Sequence, residues 1–119
     1  MKEPNKLEKS LYRSYLRNCQ KRNVFFGLSM EEFLEIIYKL CAYCDKPPSQ
    51  GLSGYNNYSK FTGIDRVNPK WGYTLENVAP CCVDCNAMKS NRLTFEEARV
   101  VGKALAEFRA SRPPKLPEK

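Results

Sequence analysis

The chain has 119 residues, 42% of them hydrophobic, and a formal charge of +7 from 20 basic and 13 acidic side chains. That length suits one domain with one small core, of the size that often needs a covalent or metal staple. The charge points to an anionic partner, nucleic acid being the commonest. No apolar run approaches the roughly 20 residues of a membrane span. The N-terminus lacks the hydrophobic stretch of a signal peptide, so an intracellular, cytoplasmic protein without membrane contact is expected.

Taken in chain order, Leu7, Leu11, Tyr15 and Cys19 recur every four residues, which is helix periodicity. The intervening positions carry Arg13, Arg17, Lys21 and Arg22, and residues 1–24 hold seven bases against two acids. A basic amphipathic helix of this kind fits a DNA backbone, a membrane surface or plain solvent. Ser29 and Glu32 form a capping box that opens a second helix running to about Leu40, with Phe33, Ile36, Ile37 and Leu40 expected in the core. Residues 45–60 are rich in Pro, Ser, Gly, Asn and Tyr and read as a loop. Within it Tyr55, Asn56, Asn57 and Tyr58 are candidates for base readout.

Two strand-like pieces follow, residues 61–67 and 73–80, around a turn at 68–72. A short helix is expected from Cys82 to about Asn91. Thr94 and Glu97 make another capping box, opening a helix to about Ala110 with Phe95, Ala98, Val101, Leu105 and Phe108 facing the core. Residues 111–119 contain three prolines and read as a disordered tail.

Six cysteines in an intracellular chain argue for metal before disulfides. Cys41 and Cys44, then Cys82 and Cys85, are two C-x2-C pairs separated by 37 residues. A two-residue gap lets both sulfurs of a pair reach one ion, and two pairs complete a closed four-sulfur structural zinc site. Closing so long an excursion without a clip is entropically unfavourable. A redox pair is the other reading, but the βαβ context it normally occupies is missing. Cys81 could replace Cys82 as ligand, although spacing favours Cys82. Cys19 reads as core.

Between and after the cysteines stand Asp65-Arg66, Gly72-Tyr73, Asn77, and Cys82-x2-Cys85-Asn86-x2-Lys89. In order and spacing these resemble the HNH family over residues 41–92. The resemblance implies a zinc-stapled ββα-metal core in an α+β fold, flanked by a basic helical region (1–40) and a C-terminal helix (93–110). It also implies a metal-dependent DNA endonuclease, RNA being the less favoured substrate, in a bacterial or phage-like context. Where the family has its general-base histidine, however, this chain has Arg66, and Asn86 replaces a metal-binding histidine. A guanidinium stays protonated at ordinary pH and cannot deprotonate water. The chain has no histidine at all.

A histidine-lacking subset of the family, including a rare-cutting restriction endonuclease, is similar at these positions, and there a tyrosine acts near the scissile phosphate. Carried over, that residue is Tyr73. Asp65 and Asn86 would then hold Mg2+ or Mn2+, Arg66 would neutralise phosphate charge, and Asn77 would hold the hairpin loop. Lys89, Arg92 and the bases of the first helix would contact the DNA backbone. Tyr73 either attacks directly or orients a water. Taken singly the residues have plainer readings: Asp65 as a turn cap, Asn86 as a helix-start residue, Arg66 paired with a surface acid, Tyr73 packed on Trp71. The rival reading of the whole is a catalytically inactive zinc-dependent DNA-binding module. One site cuts one strand, so a double-strand cut implies a homodimer or two encounters.

Overall fold

The computed structural model describes residues 3–50 and 60–111. Helix α1 spans Lys6–Arg22 and α2 spans Met30–Ile37; strands β1 (Gly63–Arg66) and β2 (Val78–Cys81) form one antiparallel pair. Helices α3 (Val83–Lys89) and α4 (Phe95–Ser111) complete the chain. The architecture is therefore α+β, with a ββα unit at its centre.

Local chemistry sets the helix starts. Asn5 caps α1 and Ser29 caps α2, each in a reciprocal capping box, with Glu8 and Glu32 respectively. Thr94 and Glu97 exchange the same two bonds at the start of α4, at 2.9 and 3.1 Å. Helix α3 is capped differently: the Cys82 sulfur accepts from the Cys85 amide, so the cysteine pair doubles as the helix cap. Helix α1 ends at Asn23, which adopts φ 56° and ψ 44° and lets its amide reach back to Cys19 and Gln20.

The core has two halves. Tyr12 and Tyr15 of α1, Phe26, Phe33 and Tyr73 make a set of edge-on and tilted ring contacts 5.1–6.4 Å apart, closed by Ile36, Ile37 and Ile64. The other half surrounds Cys41, Cys44, Cys82 and Cys85 and is closed by Tyr43, Cys81 and Ala98. Tyr15 ties the first half to β1 by accepting the Ile64 amide at 3.2 Å. Burial pushes its phenol up to about 12. The folded pKa lies above the usual 10, so this residue's contribution to stability is present below pH 10 and is lost as the pH rises through 12. An alkaline titration followed by near-ultraviolet absorbance should show Tyr15 ionising together with unfolding in that window, and Tyr15→Phe should remove that component.

Several elements are shorter than their patterns suggest. The second strand-like stretch becomes strand only at Val78, because residues 75–77 coil into a 3-10 turn under the hydrogen bonds of Asn77. The first is strand only over Gly63–Arg66. Helix α2 stops at Ile37, since the Ile37 and Lys39 carbonyls accept bonds from Thr62, and Leu40 is consequently exposed. On α4 the buried positions are Ala98 and Gly102, whereas Val101 and Phe108 face solvent. The reason is close approach: a Cβ at Gly102 would lie 2.4 Å from the Tyr43 carbonyl oxygen, so the small residues of α4 sit against residues 41–44. The predicted readout cluster at 55–58 and residues 112–119 of the predicted tail lie outside the described residues.

Candidate metal centre and polar cavity

The four cysteines of the two C-x2-C pairs are buried and unoxidised, and their sulfurs all lie within 4.8 Å of one another. Cys44 and Cys82 sulfurs are 3.7 Å apart. Four sulfurs about 2.3 Å from one ion sit roughly 3.8 Å from each other in a tetrahedron, so the cluster fits zinc. Burial pushes the Cys44 and Cys85 thiols up, while neighbouring Cys81 and nearby backbone amides hold Cys41 down. A dry cluster of this kind cannot carry several thiolates without a cation among them. Cys81 is thus a buried neighbour of the cluster, its thiol donating to the Cys82 carbonyl at 3.4 Å.

The cluster is tied to the rest of the molecule at three places. The Ala42 amide donates to the Pro80 carbonyl of β2, and Asp45 closes the first pair with φ 64°. Arg99 of α4 donates to the Ala42 and Tyr43 carbonyls at 2.7 and 3.1 Å. The third tie runs to Asp65. Tyr43, fully buried between Cys41 and Cys44, donates its hydroxyl to Asp65 Oδ2 at 2.7 Å. Burial, reinforced by Asp65, raises the Tyr43 pKa, so the phenol remains a donor.

Lys89 is the other partner of Asp65. Its ammonium lies 3.3 Å from Oδ2 and also reaches the Arg66 and Val67 carbonyls. Lys89 is 1% exposed, which corrects the expectation that it grips a phosphate: the ammonium faces inward, onto β1. Sequence reasoning missed Tyr43 because a tyrosine inside a C-x2-C pair reads as a spacer, and nothing local marks it.

A polar cavity of about 140 Å³ lies where α1, β1 and α3 meet. Asp65, Arg66, Tyr73 and Asn86 all line it, so four of the residues singled out in the sequence converge there. Arg22, the last residue of α1, joins them. The guanidinium of Arg66 pairs with no acid among the described residues. It donates to the Pro69 and Trp71 carbonyls at 2.9 and 3.0 Å and lies 5.4 Å from the Tyr73 ring centre. Tyr73 packs on Tyr15 and Phe26 instead of Trp71, and its hydroxyl has no hydrogen-bond partner among the described residues. Ser90 and Asn91, which sequence reasoning passed over, also line the cavity, Ser90 with φ 48° at the end of α3.

Asn77 is absent from the cavity lining. It is buried, its amide donates to the Asn68 and Gly72 carbonyls, and its oxygen accepts the Asn68 amide. It therefore clamps the turn that holds Arg66. Arg92 lies in an adjoining groove with Lys70, while Arg13, Arg17 and Lys21 are exposed on α1 outside the cavity. A larger groove, about 900 Å³, runs between Pro4, Met30, Leu34 and Tyr38, but it is apolar and rimmed by Glu3, Glu31 and Glu35. Those carboxylates would repel a phosphate backbone. No described helix is long and apolar enough to cross a membrane.

No protein-family model matches the chain. It is 32% identical over 87 residues to an uncharacterized protein of Acanthamoeba polyphaga mimivirus; the match covers 73% of this chain but spans only 15% of that protein's length. Among solved structures, the fold is similar to that of the rare-cutting HNH restriction endonuclease PacI, described as perturbing DNA by an extraordinary mechanism. The TM-score is 0.69 at 22% identity, over 84% of this chain and 77% of that one. The fold is thus HNH-like.

Proposed function

We propose that the chain is a metal-dependent endonuclease that hydrolyses phosphodiester bonds of DNA without a histidine. The carrying observation is that Asp65, Arg66, Tyr73 and Asn86 line one polar cavity of an HNH-like fold, with Arg22 beside them.

Each residue has a role suited to its placement. Asp65 and Asn86 bring hard oxygen donors, the set that Mg2+ or Mn2+ favours. Such an ion, when bound, would polarise the phosphate and stabilise the leaving 3' oxygen. Tyr43 and Lys89 hold Asp65 Oδ2, which leaves Oδ1 free for other ligands and prevents the carboxylate from swinging. Arg66 has its NH1 engaged by two turn carbonyls, so NH2 and Nε are the groups left for a phosphate oxygen. Arg22 supplies a further positive charge from the opposite wall.

Tyr73 also lines the cavity, and its hydroxyl is the group proposed for the attacking side. It either attacks the phosphorus itself, expelling the 3' oxygen and leaving a phosphotyrosine that water then hydrolyses, or orients the attacking water. A free phenol has a pKa of about 10, so direct attack requires the neighbouring cationic charge to favour phenolate. Arg92 and the exposed bases of α1 would track neighbouring phosphates. Nothing in this scheme requires two copies for a single nick, whereas a double-strand cut requires two sites or two encounters.

The test is incubation of the purified protein with supercoiled plasmid and Mg2+ or Mn2+, with and without chelator. Nicking that depends on the metal is the expected result. No nicking across metals, pH values and diverse DNA would overturn the enzyme reading in favour of an inactive binding module.

A further inference from the structure

The chain has a single tryptophan, Trp71, and it is 65% exposed. An indole is among the most favourable groups to bury, so a large exposed one beside a functional cavity is informative. Its backbone is also unusually well held for a turn. The Trp71 carbonyl accepts from Arg66 at 3.0 Å, its amide donates to Asn68 at 3.1 Å, and Asn77 bonds the Gly72 carbonyl at 2.9 Å. Gly72 packs so closely that a Cβ there would meet the Phe25 carbonyl oxygen at 2.5 Å. The turn therefore presents the indole from a rigid base, and little backbone ordering remains for a ligand to impose.

The surroundings of the turn define the partner. Asn68, Pro69 and Lys70 of the same turn line a groove of about 390 Å³ together with Asn91, Arg92 and one acid, Glu96. Pro69 and Asn91 also line the polar cavity, so groove and cavity adjoin. An exposed aromatic residue in the same turn as one cation, with a second cation and two amides beside Glu96 in a groove that adjoins a site read as phosphodiester-cleaving, has the composition of a nucleic-acid track.

We propose that Trp71 stacks on an unpaired base of the bound DNA strand, while Lys70 and Arg92 hold the backbone of that strand in the adjoining groove. The proposal rests on the reading of the cavity as a nucleic-acid site. It predicts a preference for strands with accessible bases, because a base inside an intact duplex offers no free face.

Since Trp71 is the only indole, its fluorescence reports the contact without any cleavage. The protein is titrated with a single-stranded oligonucleotide and with the paired duplex of the same sequence, without added Mg2+ or Mn2+. Expected is saturable, salt-sensitive quenching that is larger with the single strand. Anisotropy of a labelled single strand should show an affinity loss of about tenfold for Trp71→Ala, with most of it restored in Trp71→Phe. Lys70→Ala should instead reduce the salt dependence. Circular dichroism of Trp71→Ala should match the parent, as expected for an exposed side chain. Unchanged fluorescence at saturating oligonucleotide, or equal affinity for Trp71→Ala, overturns the proposal. Quenching without plasmid nicking would leave it standing and defeat the nuclease reading; nicking without quenching would do the reverse.

Discussion

Removal of zinc should unfold the ββα unit and α4 together, leaving at most the aromatic cluster of α1 and α2. The four sulfurs are the centre of their half of the core, and no other large apolar cluster holds α3 and α4 in place. Zinc in four-ligand structural sites contributes about 10–16 kcal/mol of apparent binding energy at neutral pH. A whole domain is typically stable by about 5–15 kcal/mol. An ion bound at the four sulfurs would therefore contribute as much free energy as an entire fold typically has. Cys82 also caps α3, and Arg99 of α4 reaches the turn carbonyls of the first pair, so loss of the ion propagates to both helices. A strong chelator should produce loss of far-ultraviolet helical signal in step with zinc release measured by elemental analysis, and Cys44→Ser should fail to retain zinc. A chelated protein with unchanged helicity, or folded protein without metal, would contradict the four-cysteine assignment.

Lys89→Met should be the most damaging single change away from the cysteines. It leaves the Asp65 carboxylate, itself 7% exposed, with one donor instead of two and no direct ion-pair partner among the described residues. Breaking one side of a buried pair typically costs about 3–5 kcal/mol, because the remaining charge stays buried and uncompensated. Tyr43→Phe removes a hydrogen bond to the same oxygen and should cost about 1.5–3 kcal/mol. The two losses share a partner and should not add. A double-mutant cycle with Asp65→Asn, read by urea denaturation, should give a coupling of about 1–3 kcal/mol for each pair. Coupling near zero would mean that the carboxylate does not depend on these donors.

What the sequence reveals about the site divides along a physical line. The four-cysteine cluster is legible because cysteines paired at two-residue spacing have few other uses in a buried setting. The capping boxes at Ser29 and Thr94 are legible because each residue meets its partner within one turn. Asp65, Arg66, Tyr73 and Asn86 are legible as a set through their order, and the fold brings them to one cavity. Tyr43 and Lys89 are not, since their importance arises from a contact with Asp65 across 22 and 24 positions of chain respectively, and nothing local encodes it. The buried face of α4 was misjudged for a related reason. Apolar periodicity selects Val101 and Phe108, but close backbone approach at Gly102 selects the small residues. Likewise Asn77 looks like a strand residue until its three hydrogen bonds to the 68–72 turn are seen.

Cleavage of DNA at the cavity around Asp65, as proposed, is measured by comparing the parent protein with Asp65→Asn, purified identically and checked for zinc content and folding, on supercoiled plasmid with Mn2+. Expected are nicking by the parent and a loss of at least a hundredfold in Asp65→Asn, about the size expected on losing one strong transition-state interaction. Equal nicking by both proteins, or none by the parent under any divalent metal, would contradict the proposal.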